Sequence, residues 1–337
     1  DSLFSNLDMQ GADMQPLSPI HFIQRAAYVF AEKIAIAYGE RRITYAQFGA
    51  RCKQLAAAII GAGIKPQTTV SVLCPNVPEM LELHFAVPMT GAVLNTINTR
   101  LDAKTIAAIL DHGESHMLFV DREYADVAEA ALALCNREIV VIGIDDSTVD
   151  IGRMIGDTDY EAFLASGNME SPLFDLRDET MPISLSYTSG TTGNPKGVVY
   201  SHRGAALNAL GNVLAMGLSN SSTYLWTLPL FHCDGWTHPW AVTSVGGTHV
   251  CLRAIDPVKV FRLIDAEDIT HMAAAPIVLS MLIHATDDAK LRTVKPVPVQ
   301  VATGGAAPPS KVIDDMETMG FKITHLYGLT ESYGPSL

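Results

Sequence analysis

Basic residues are scarce in this sequence. Its 337 residues include 23 lysines and arginines against 36 aspartates and glutamates, for a formal net charge of −13. Because binding to a nucleic-acid backbone requires a basic face, this charge argues against nucleic acid as a partner. Charged residues of both signs amount to 18%, whereas hydrophobic residues reach 48%. This composition argues against disorder and predicts large buried cores, and the length suits two domains.

Long apolar runs and paired cysteines are also absent. No stretch of about 18 uncharged apolar residues occurs, so we expect no membrane span. The first residues are mixed and polar, with no basic segment followed by an apolar one, so we expect no signal peptide. The five cysteines form no Cys-x-x-Cys pair, which favours free thiols in a reducing compartment over disulfides or zinc ligands. We therefore predict a cytoplasmic protein.

Two common nucleotide-binding signatures are missing. No G-x-G-x-x-G follows an early strand with an acidic residue about twenty positions further on, which argues against a dinucleotide-dependent dehydrogenase. No G-x-x-x-x-G-K-[ST] occurs, so a Walker-type phosphate loop is excluded.

The sequence instead contains a loop of hydroxyls, glycines and one lysine at residues 187–197. Glycines allow consecutive backbone N–H groups to point at an anion, and hydroxyls and a lysine add donors and positive charge. Apolar stretches enter the loop at 183–187 and leave it at 198–200, which a solvated linker does not explain. The loop is therefore predicted to bind nucleotide phosphates.

Strand-like and helical stretches alternate from about residue 69 onward. The predicted strands are 69–73, 117–120, 139–142, 183–187, 223–228, 270–274, 297–302 and 321–326. The predicted helices are 78–91, 103–111 after an Asp102 cap, 202–216, 256–266 beginning at Asp256-Pro257, 276–285 and 309–319. This alternation is typical of βαβ units. With more strands than one modest sheet holds, we predict an α/β fold of two packed, mostly parallel, doubly wound sheets with helices on both faces.

The organisation follows from this pattern. Residues 1–66 are expected to join the second sheet, 67–212 to form a first α/β subdomain with the phosphate loop, and 213–337 to form a second. The acidic stretch 145–179 is interpreted as a surface excursion. Since ligands bind at the carboxyl ends of such strands, four segments should form one site: the loop at 188–196, and residues 229–232, 304–308 and 327–331.

These four motifs, in this order, resemble the adenylate-forming superfamily of acyl-CoA synthetases, luciferases and peptide-synthetase adenylation domains, over nearly the whole chain. The resemblance implies that Tyr327 stacks on adenine, that Thr330 contacts the α-phosphate, and that Glu331 with Thr192 holds Mg²⁺. The implied ATP-binding residues are Thr188, Ser189, Gly190, Thr191, Thr192, Gly193, Lys196, Gly304, Gly305, Ala306, Ala307, Pro308, Tyr327, Gly328 and Thr330. The implied catalytic residues are His232, Thr330, Glu331 and Lys196.

The resemblance also bears on the acid that is activated. The implied acyl pocket consists of His232, Trp236, Thr237, Gly304 and Gly328. Amino-acid-activating relatives carry an aspartate close to the position of His232, although Asp234 keeps that alternative open, and core packing is the competing role for Trp236. Acetate-specific relatives carry a tryptophan where Gly328 stands, so a short-to-medium-chain acid is expected. Residues 231–240 and 330–335 look similar to methylmercaptopropionate-CoA ligases.

The implied activity is ATP-dependent formation of an acyl-AMP, followed by transfer to CoA. An adenylation domain that serves a carrier protein and a non-catalytic nucleotide-binding module are the alternatives. Relatives continue well beyond Glu331 into a mobile domain that carries a catalytic lysine. We therefore expect this chain to be the amino-terminal portion of a synthetase, nearly inactive alone, with a homodimer as one possible assembly.

Overall fold

The computed structural model describes residues 15–188, 195–286 and 297–336. Its strands are β1 (Ile34–Tyr38), β2 (Arg41–Thr44), β3 (Thr69–Leu73), β4 (Val93–Thr96), β5 (Ser115–Asp121), β6 (Val140–Ile144), β7 (Thr158–Asp159), β8 (Pro182–Thr188), β9 (Lys196–Ser201), β10 (Thr223–Leu225), β11 (Thr248–Val250), β12 (His271–Ala274), β13 (Val299–Thr303), β14 (Phe321–His325), β15 (Gly328–Leu329) and β16 (Gly334–Pro335). Its α-helices are Ile20–Val29, Tyr45–Gly61, Pro78–Met89, Ala103–His112, Ala125–Leu132, Tyr160–Ala165, His202–Met216, His238–Ser244, Pro257–Ala266, Pro276–Ile283 and Ser310–Thr318. The predicted α/β class is confirmed.

The described strands form two seven-stranded sheets and a small β15–β16 hairpin. One sheet has the order β14-β13-β12-β10-β11-β1-β2, and only β2 at its edge is antiparallel to its neighbour. The other has the order β7-β6-β5-β3-β4-β8-β9, with β9 as the antiparallel edge. The prediction of two mostly parallel sheets is therefore confirmed.

One core joins the sheets. Phe48, Phe85 and Trp240 belong to the same buried cluster, although the first two come from the amino-terminal third of the chain and Trp240 from the carboxyl-terminal third. The amino-terminal strands β1 and β2 lie in the sheet that contains β10 to β14, where Ile36 of β1 lies opposite His249 of β11. The division of the chain at residues 66 and 212 stays a prediction.

Helix ends follow the caps that the sequence indicates. Asp102 accepts a hydrogen bond from the Thr105 amide, and Asp256 accepts one from the Val258 amide. Their oxygens satisfy amide groups that have no partner within the helix, which explains where these helices begin. None of the helices in the described ranges is long and apolar enough to cross a membrane. All five cysteines are free thiols.

The predicted strand at 223–228 is too long. β10 ends at Leu225. The Trp226 amide still donates to the Val250 carbonyl of β11, but the carbonyls of the residues that follow β10 bond to a side chain of the other sheet. The Asn76 amide donates to the carbonyls of Trp226 and Leu228 at 2.9 Å each, and its oxygen accepts from the Leu230 amide at 2.8 Å. Asn76 follows β3 of the other sheet, so this clamp ties the two sheets together beside residues 229–232.

The interpretation of residues 145–179 as a surface excursion is wrong in part. The helix Tyr160–Ala165 lies within it and buries Tyr160, Phe163 and Leu164. The Tyr160 hydroxyl donates to the buried Glu82 carboxylate at 2.6 Å. Only three large apolar side chains mark this helix, so its periodicity is too short to be recognised in an acidic stretch.

Buried histidines predict a loss of stability in acid. Burial lowers the pKa of His202 and His238 to about 4 and that of His249 to about 3. In the unfolded chain, imidazoles take up protons near pH 6.5. Between these values the unfolded state binds more protons, so the free energy of unfolding falls as the pH drops from about 6.5 towards 4. Each histidine should contribute about 1.4 kcal/mol per pH unit. Urea unfolding at several pH values checks this, and a His238→Asn variant with an unchanged pH slope would contradict it.

Candidate active site

Two adjoining cavities lie at the carboxyl ends of the strands. The larger, of about 390 Å³, has residues from the ends of β4 and β8 and the segment after β10 in its wall. The smaller, of about 190 Å³, is lined by residues that follow β13 and β14 and by the β15–β16 hairpin. His232, Cys233 and Thr330 belong to both. The structure therefore brings together the four segments that the sequence analysis singled out.

The base of the predicted phosphate loop lies at the larger cavity. Thr188, the last residue of β8, pairs with Lys196, the first residue of β9. Thr188 and Pro195 line the cavity, and Lys196 is exposed. The loop thus connects two antiparallel strands, whereas a Walker loop connects a strand to a helix. The other predicted phosphate ligands, Ser189, Gly190, Thr191, Thr192 and Gly193, lie outside the described residues.

His232 stands in the wall between the two cavities. Its amide donates to the Pro229 carbonyl at 3.1 Å, which closes a turn after the Asn76-bound segment. Enclosure by protein and the nearby Arg100 cation both lower the pKa of His232. The imidazole is therefore neutral at pH 7 and can offer one N–H donor and one acceptor to a ligand.

A left-handed turn follows His232. Cys233, Asp234, Gly235, Trp236 and Thr237 all have positive φ, between 45° and 61°. This backbone costs non-glycine residues about 1–2 kcal/mol each, so surrounding contacts must offset it. Strained conformations of this kind concentrate at functional sites.

Asp234, within this turn, is completely buried and lines neither cavity. It accepts hydrogen bonds from Thr96 Oγ1 at 2.7 Å, Tyr333 Oη at 3.0 Å and Ser186 Oγ at 3.4 Å. Burial raises the pKa of Asp234, and the nearby His84 and the hydroxyl donors oppose that rise. Both of its carboxylate oxygens accept hydrogen bonds from protein hydroxyls, and neither oxygen lines a cavity where a substrate could reach it.

Trp236 forms a wall of the smaller cavity. A side chain at Gly304 would lie 3.0 Å from the Trp236 ring, and one at Gly334 would lie 3.3 Å from its Cβ. Two glycines thus let the indole pack tightly between two backbone segments. Thr237, in contrast, lines neither cavity: its hydroxyl donates to Asn208 Oδ1 at 2.7 Å and ties the turn to the helix His202–Met216.

Residues 304–308, the predicted adenine-binding segment, lie at the edge of the smaller cavity. Gly304 is buried against Trp236, whereas Gly305, Ala306 and Ala307 are exposed and Pro308 is buried. Gly304 and Gly305 line the smaller cavity. Tyr327 is 59% exposed, so its ring is free to stack on a planar base.

Gly328 is required by the backbone around it. A Cβ there would lie 2.0 Å from the Gly334 carbonyl oxygen, across the β15–β16 pair. Real Cβ atoms essentially never come so close, so any side chain would displace the hairpin. This gives Gly328 a structural role that is independent of pocket size.

Thr330 and Glu331 lie in the loop of that hairpin. Thr330 is half-buried, and its hydroxyl accepts a weak bond from the Cys233 thiol at 3.4 Å. Its carbonyl accepts from the Tyr200 hydroxyl at 2.5 Å. Glu331 is exposed beside it. Thr330 lines the cavity that also contains Thr188 and Pro195, and the predicted role of Glu331 as a Mg²⁺ ligand requires one exposed carboxylate there, since Mg²⁺ takes one or two carboxylates together with phosphate oxygens and water.

Sequence reasoning missed three residues that support the site: Asn76, Tyr200 and Tyr333. The Tyr333 ring stacks on Tyr200 with centroids 3.5 Å apart and planes 10° apart. Asn76 carried a weak signal, a polar residue directly after a buried strand. The two tyrosines carried none, because their partners are distant in the sequence: Thr330 for Tyr200, and Ser184 and Asp234 for Tyr333.

Comparison with known proteins agrees with this geometry. A family model described as AMP-binding enzyme matches residues 23–337. The peroxisomal butyrate–CoA ligase of Arabidopsis thaliana is 44% identical over 98% of this chain and 59% of its own length. The trans-cinnamate:CoA ligase of Petunia hybrida is 41% identical over 97% of this chain and 60% of its own length. The chain thus spans about three-fifths of these relatives.

Solved structures share the fold. An anthranilate CoA ligase in complex with anthranoyl-AMP superimposes with a TM-score of 0.85 at 22% identity, covering 97% of this chain and 63% of that one. The N-terminal domain of FACL13 from Mycobacterium tuberculosis gives a TM-score of 0.82 at 26% identity, covering 94% of this chain and 77% of that domain. By sequence over nearly its whole length, and by fold, this chain belongs to the AMP-binding enzyme family.

Proposed function

We propose that the protein containing this chain is an ATP-dependent acid–CoA ligase for short-chain carboxylic acids. The observation that supports this best is the meeting of the four motifs at two cavities that share His232, Cys233 and Thr330. The larger cavity adjoins the phosphate loop, and the smaller one has the size and apolar wall of an acyl pocket. The identities of the relatives, which are CoA ligases, support the same activity.

The first half-reaction joins two anions. A carboxylate oxygen attacks the α-phosphorus of ATP, pyrophosphate leaves, and an acyl-AMP forms. Positive charge and fixed donors near the α-phosphate must offset the repulsion and stabilise the charge that develops on its oxygens. Lys196 and the Thr330 hydroxyl supply such groups, and neutral His232 is positioned to donate to the carboxylate. Bound Mg²⁺, held by Glu331 and phosphate oxygens, would neutralise phosphate charge. In the second half-reaction a thiol attacks the acyl carbon and AMP leaves.

The small size of the acyl cavity favours short acids. At about 190 Å³ it is below the range of about 300–1,000 Å³ that drug-sized ligands occupy. The named activities of two Arabidopsis relatives, on butyrate and on acetate or butyrate, agree with this size. An amino acid is disfavoured because Asp234, which could have paired with an amino group, is buried and bonded elsewhere.

Trp236→Ala should shift acid preference towards longer chains. Removing the indole would extend the smaller cavity, and one methylene in an apolar pocket changes specificity by about 10- to 200-fold. We expect the ratio of kcat/KM for hexanoate over butyrate to rise by at least about 10-fold, with the KM for ATP little changed. Trp226→Phe is the control, because Trp226 is buried but lines neither cavity. An unchanged acid profile in Trp236→Ala would remove Trp236 from the pocket.

Acid-dependent exchange between ATP and pyrophosphate tests the function directly. It should be measured on the complete gene product, across acids from acetate to octanoate with a thioether acid, benzoate and amino acids included. We expect exchange to be greatest with acids of three to six carbons. Exchange only with amino acids would favour an adenylation domain that serves a carrier protein. A folded protein that exchanges with none of the acids would favour a nucleotide-binding module.

The acceptor of the acyl group and the cellular location of the protein can be tested separately. CoA as the acceptor predicts that CoA and acid together yield a thioester, whereas a carrier-protein ligase would require a phosphopantetheinylated partner. The cytoplasmic location stays a prediction, and the two Arabidopsis relatives are peroxisomal by name. Microscopy of the complete protein with an internal tag tests the location. Sedimentation of the purified protein tests the proposed homodimer.

A further inference from the structure

Asp234 is a buried acid within the site that touches neither cavity. It lies between His232 and Trp236, each two residues away, and these two side chains line the cavities. Its backbone is left-handed, with φ and ψ of 45° and 51°, so it holds an unfavourable conformation. A buried carboxylate with three hydroxyl donors is costly to desolvate, and it persists only where those bonds compensate. Asp234 therefore acts through the groups that its bonds hold in place.

Those bonds tie one sheet to the active-site hairpin. Thr96 ends β4 and Ser186 belongs to β8, and both donate to the same oxygen, Oδ1. The other oxygen, Oδ2, accepts from the hydroxyl of Tyr333, next to β16. Ser184 of β8 lies 2.9 Å from that hydroxyl and completes its bonding. Asp234 thereby bonds the turn to strands β4 and β8 on one side and to the β15–β16 hairpin on the other.

The contact continues to the reacting region. The Tyr333 ring lies flat on the Tyr200 ring, and the Tyr200 hydroxyl bonds the carbonyl of Thr330 at 2.5 Å. The neighbour of Asp234, Cys233, bonds the Thr330 hydroxyl. Two routes of direct contact therefore lead from the turn to Thr330, one to its backbone and one to its side chain.

We propose that Asp234 is a positioning residue for adenylation: it locks the left-handed turn that presents His232 and Trp236, and through Tyr333 and Tyr200 it holds Thr330 against the α-phosphate. This inference rests on the proposed function. Precise placement matters because a shift of about 1 Å in a reacting geometry can cost about 100-fold in rate. Asp234 does not touch the substrate, so its effect is on kcat.

The test is acid-dependent ATP–pyrophosphate exchange in the complete gene product carrying Asp234→Asn or Tyr333→Phe. Asn has the same shape but replaces one acceptor oxygen with a donor, and Phe keeps the ring stacked on Tyr200 while removing the hydroxyl. Each variant should lower kcat by about 10- to 100-fold, as loss of a supporting partner does at other sites, with the KM for ATP unchanged. The double variant should lose no more than the worse single one, because both changes break the same connection.

A matched pair elsewhere in the chain separates positioning from general stability. The Tyr160 hydroxyl donates to the buried Glu82 carboxylate at 2.6 Å, and neither residue lines either cavity. Tyr160→Phe removes a tyrosine–carboxylate bond of the same kind, and Glu82→Gln removes it together with the charge that Arg51 pairs with at 2.6 Å. We expect them to lower the melting temperature while kcat stays at the level of the unchanged protein.

The outcomes are distinct. Normal kcat in both Asp234→Asn and Tyr333→Phe, with exchange intact in the unchanged protein, would overturn the inference alone. Equal loss of kcat in the Glu82 pair would also overturn it, since the effect would then be one of stability. Absence of exchange in the unchanged protein would overturn the proposed function and this inference with it. Should Asp234→Asn fail to fold, Tyr333→Phe decides.

Discussion

Glu331→Gln is expected to lower acid-dependent ATP–pyrophosphate exchange by about 100- to 1,000-fold, the loss typical when one group that stabilises developing charge is removed. Glutamine keeps the size of the side chain and loses its charge, so it is a poor ligand for a hard cation. Because Glu331 is exposed, the fold should tolerate the change. Exchange rates measured across a Mg²⁺ titration check this, and the variant should need more Mg²⁺ for half-maximal rate.

The control for this variant is Glu317→Gln. Glu317 is an exposed acid in the helix Ser310–Thr318, which precedes β14 in the sequence. Its loss changes the net charge of the protein equally and should leave exchange unaffected. If both variants exchange at the same rate, Glu331 has no specific role in the reaction and the magnesium assignment fails.

Gly328→Ala is expected to abolish most activity because the added methyl group would displace the backbone of the β15–β16 hairpin. The added methyl would lie 2.0 Å from the Gly334 carbonyl oxygen, which is backbone and cannot turn aside. Overpacking of this kind costs about 1–3 kcal/mol and would move the β15–β16 hairpin. Since Thr330 and Glu331 lie in the loop of that hairpin, we expect exchange to fall by about 100-fold. Exchange assays and thermal unfolding of the same preparation measure both effects.

Gly211→Ala is the matched control for that change. Gly211 is exposed in the helix His202–Met216, and a Cβ there would meet no atom within 4 Å. Alanine in a helix interior is about 1 kcal/mol more favourable than glycine, so this variant should be slightly more stable and fully active. A Gly328→Ala protein that behaves like Gly211→Ala would show that the hairpin can adopt another geometry.

The regular elements were the most predictable part of the molecule. The helix at 202–216 and the strand at 69–73 have the predicted bounds, because the Ser201 cap and Gly217 stop of the helix and the short buried run of the strand are set by residues close in sequence. The 223–228 strand and the 145–179 excursion were wrong in part. In both cases a distant side chain decides the outcome: Asn76 takes the backbone groups of the first, and Glu82 fixes Tyr160 in the second.

By itself, the sequence determined the fold class, the family and the motifs that meet at the site. Local periodicity and short motifs specify these features, since they depend on the order of residues within one segment. Only the tertiary structure decided that Asp234 is buried and bonded to Tyr333, that Thr237 faces away from the cavities, and that no side chain fits at 328. These features depend on contacts between segments that are distant in sequence. They arise only once the two sheets and the hairpin have packed together.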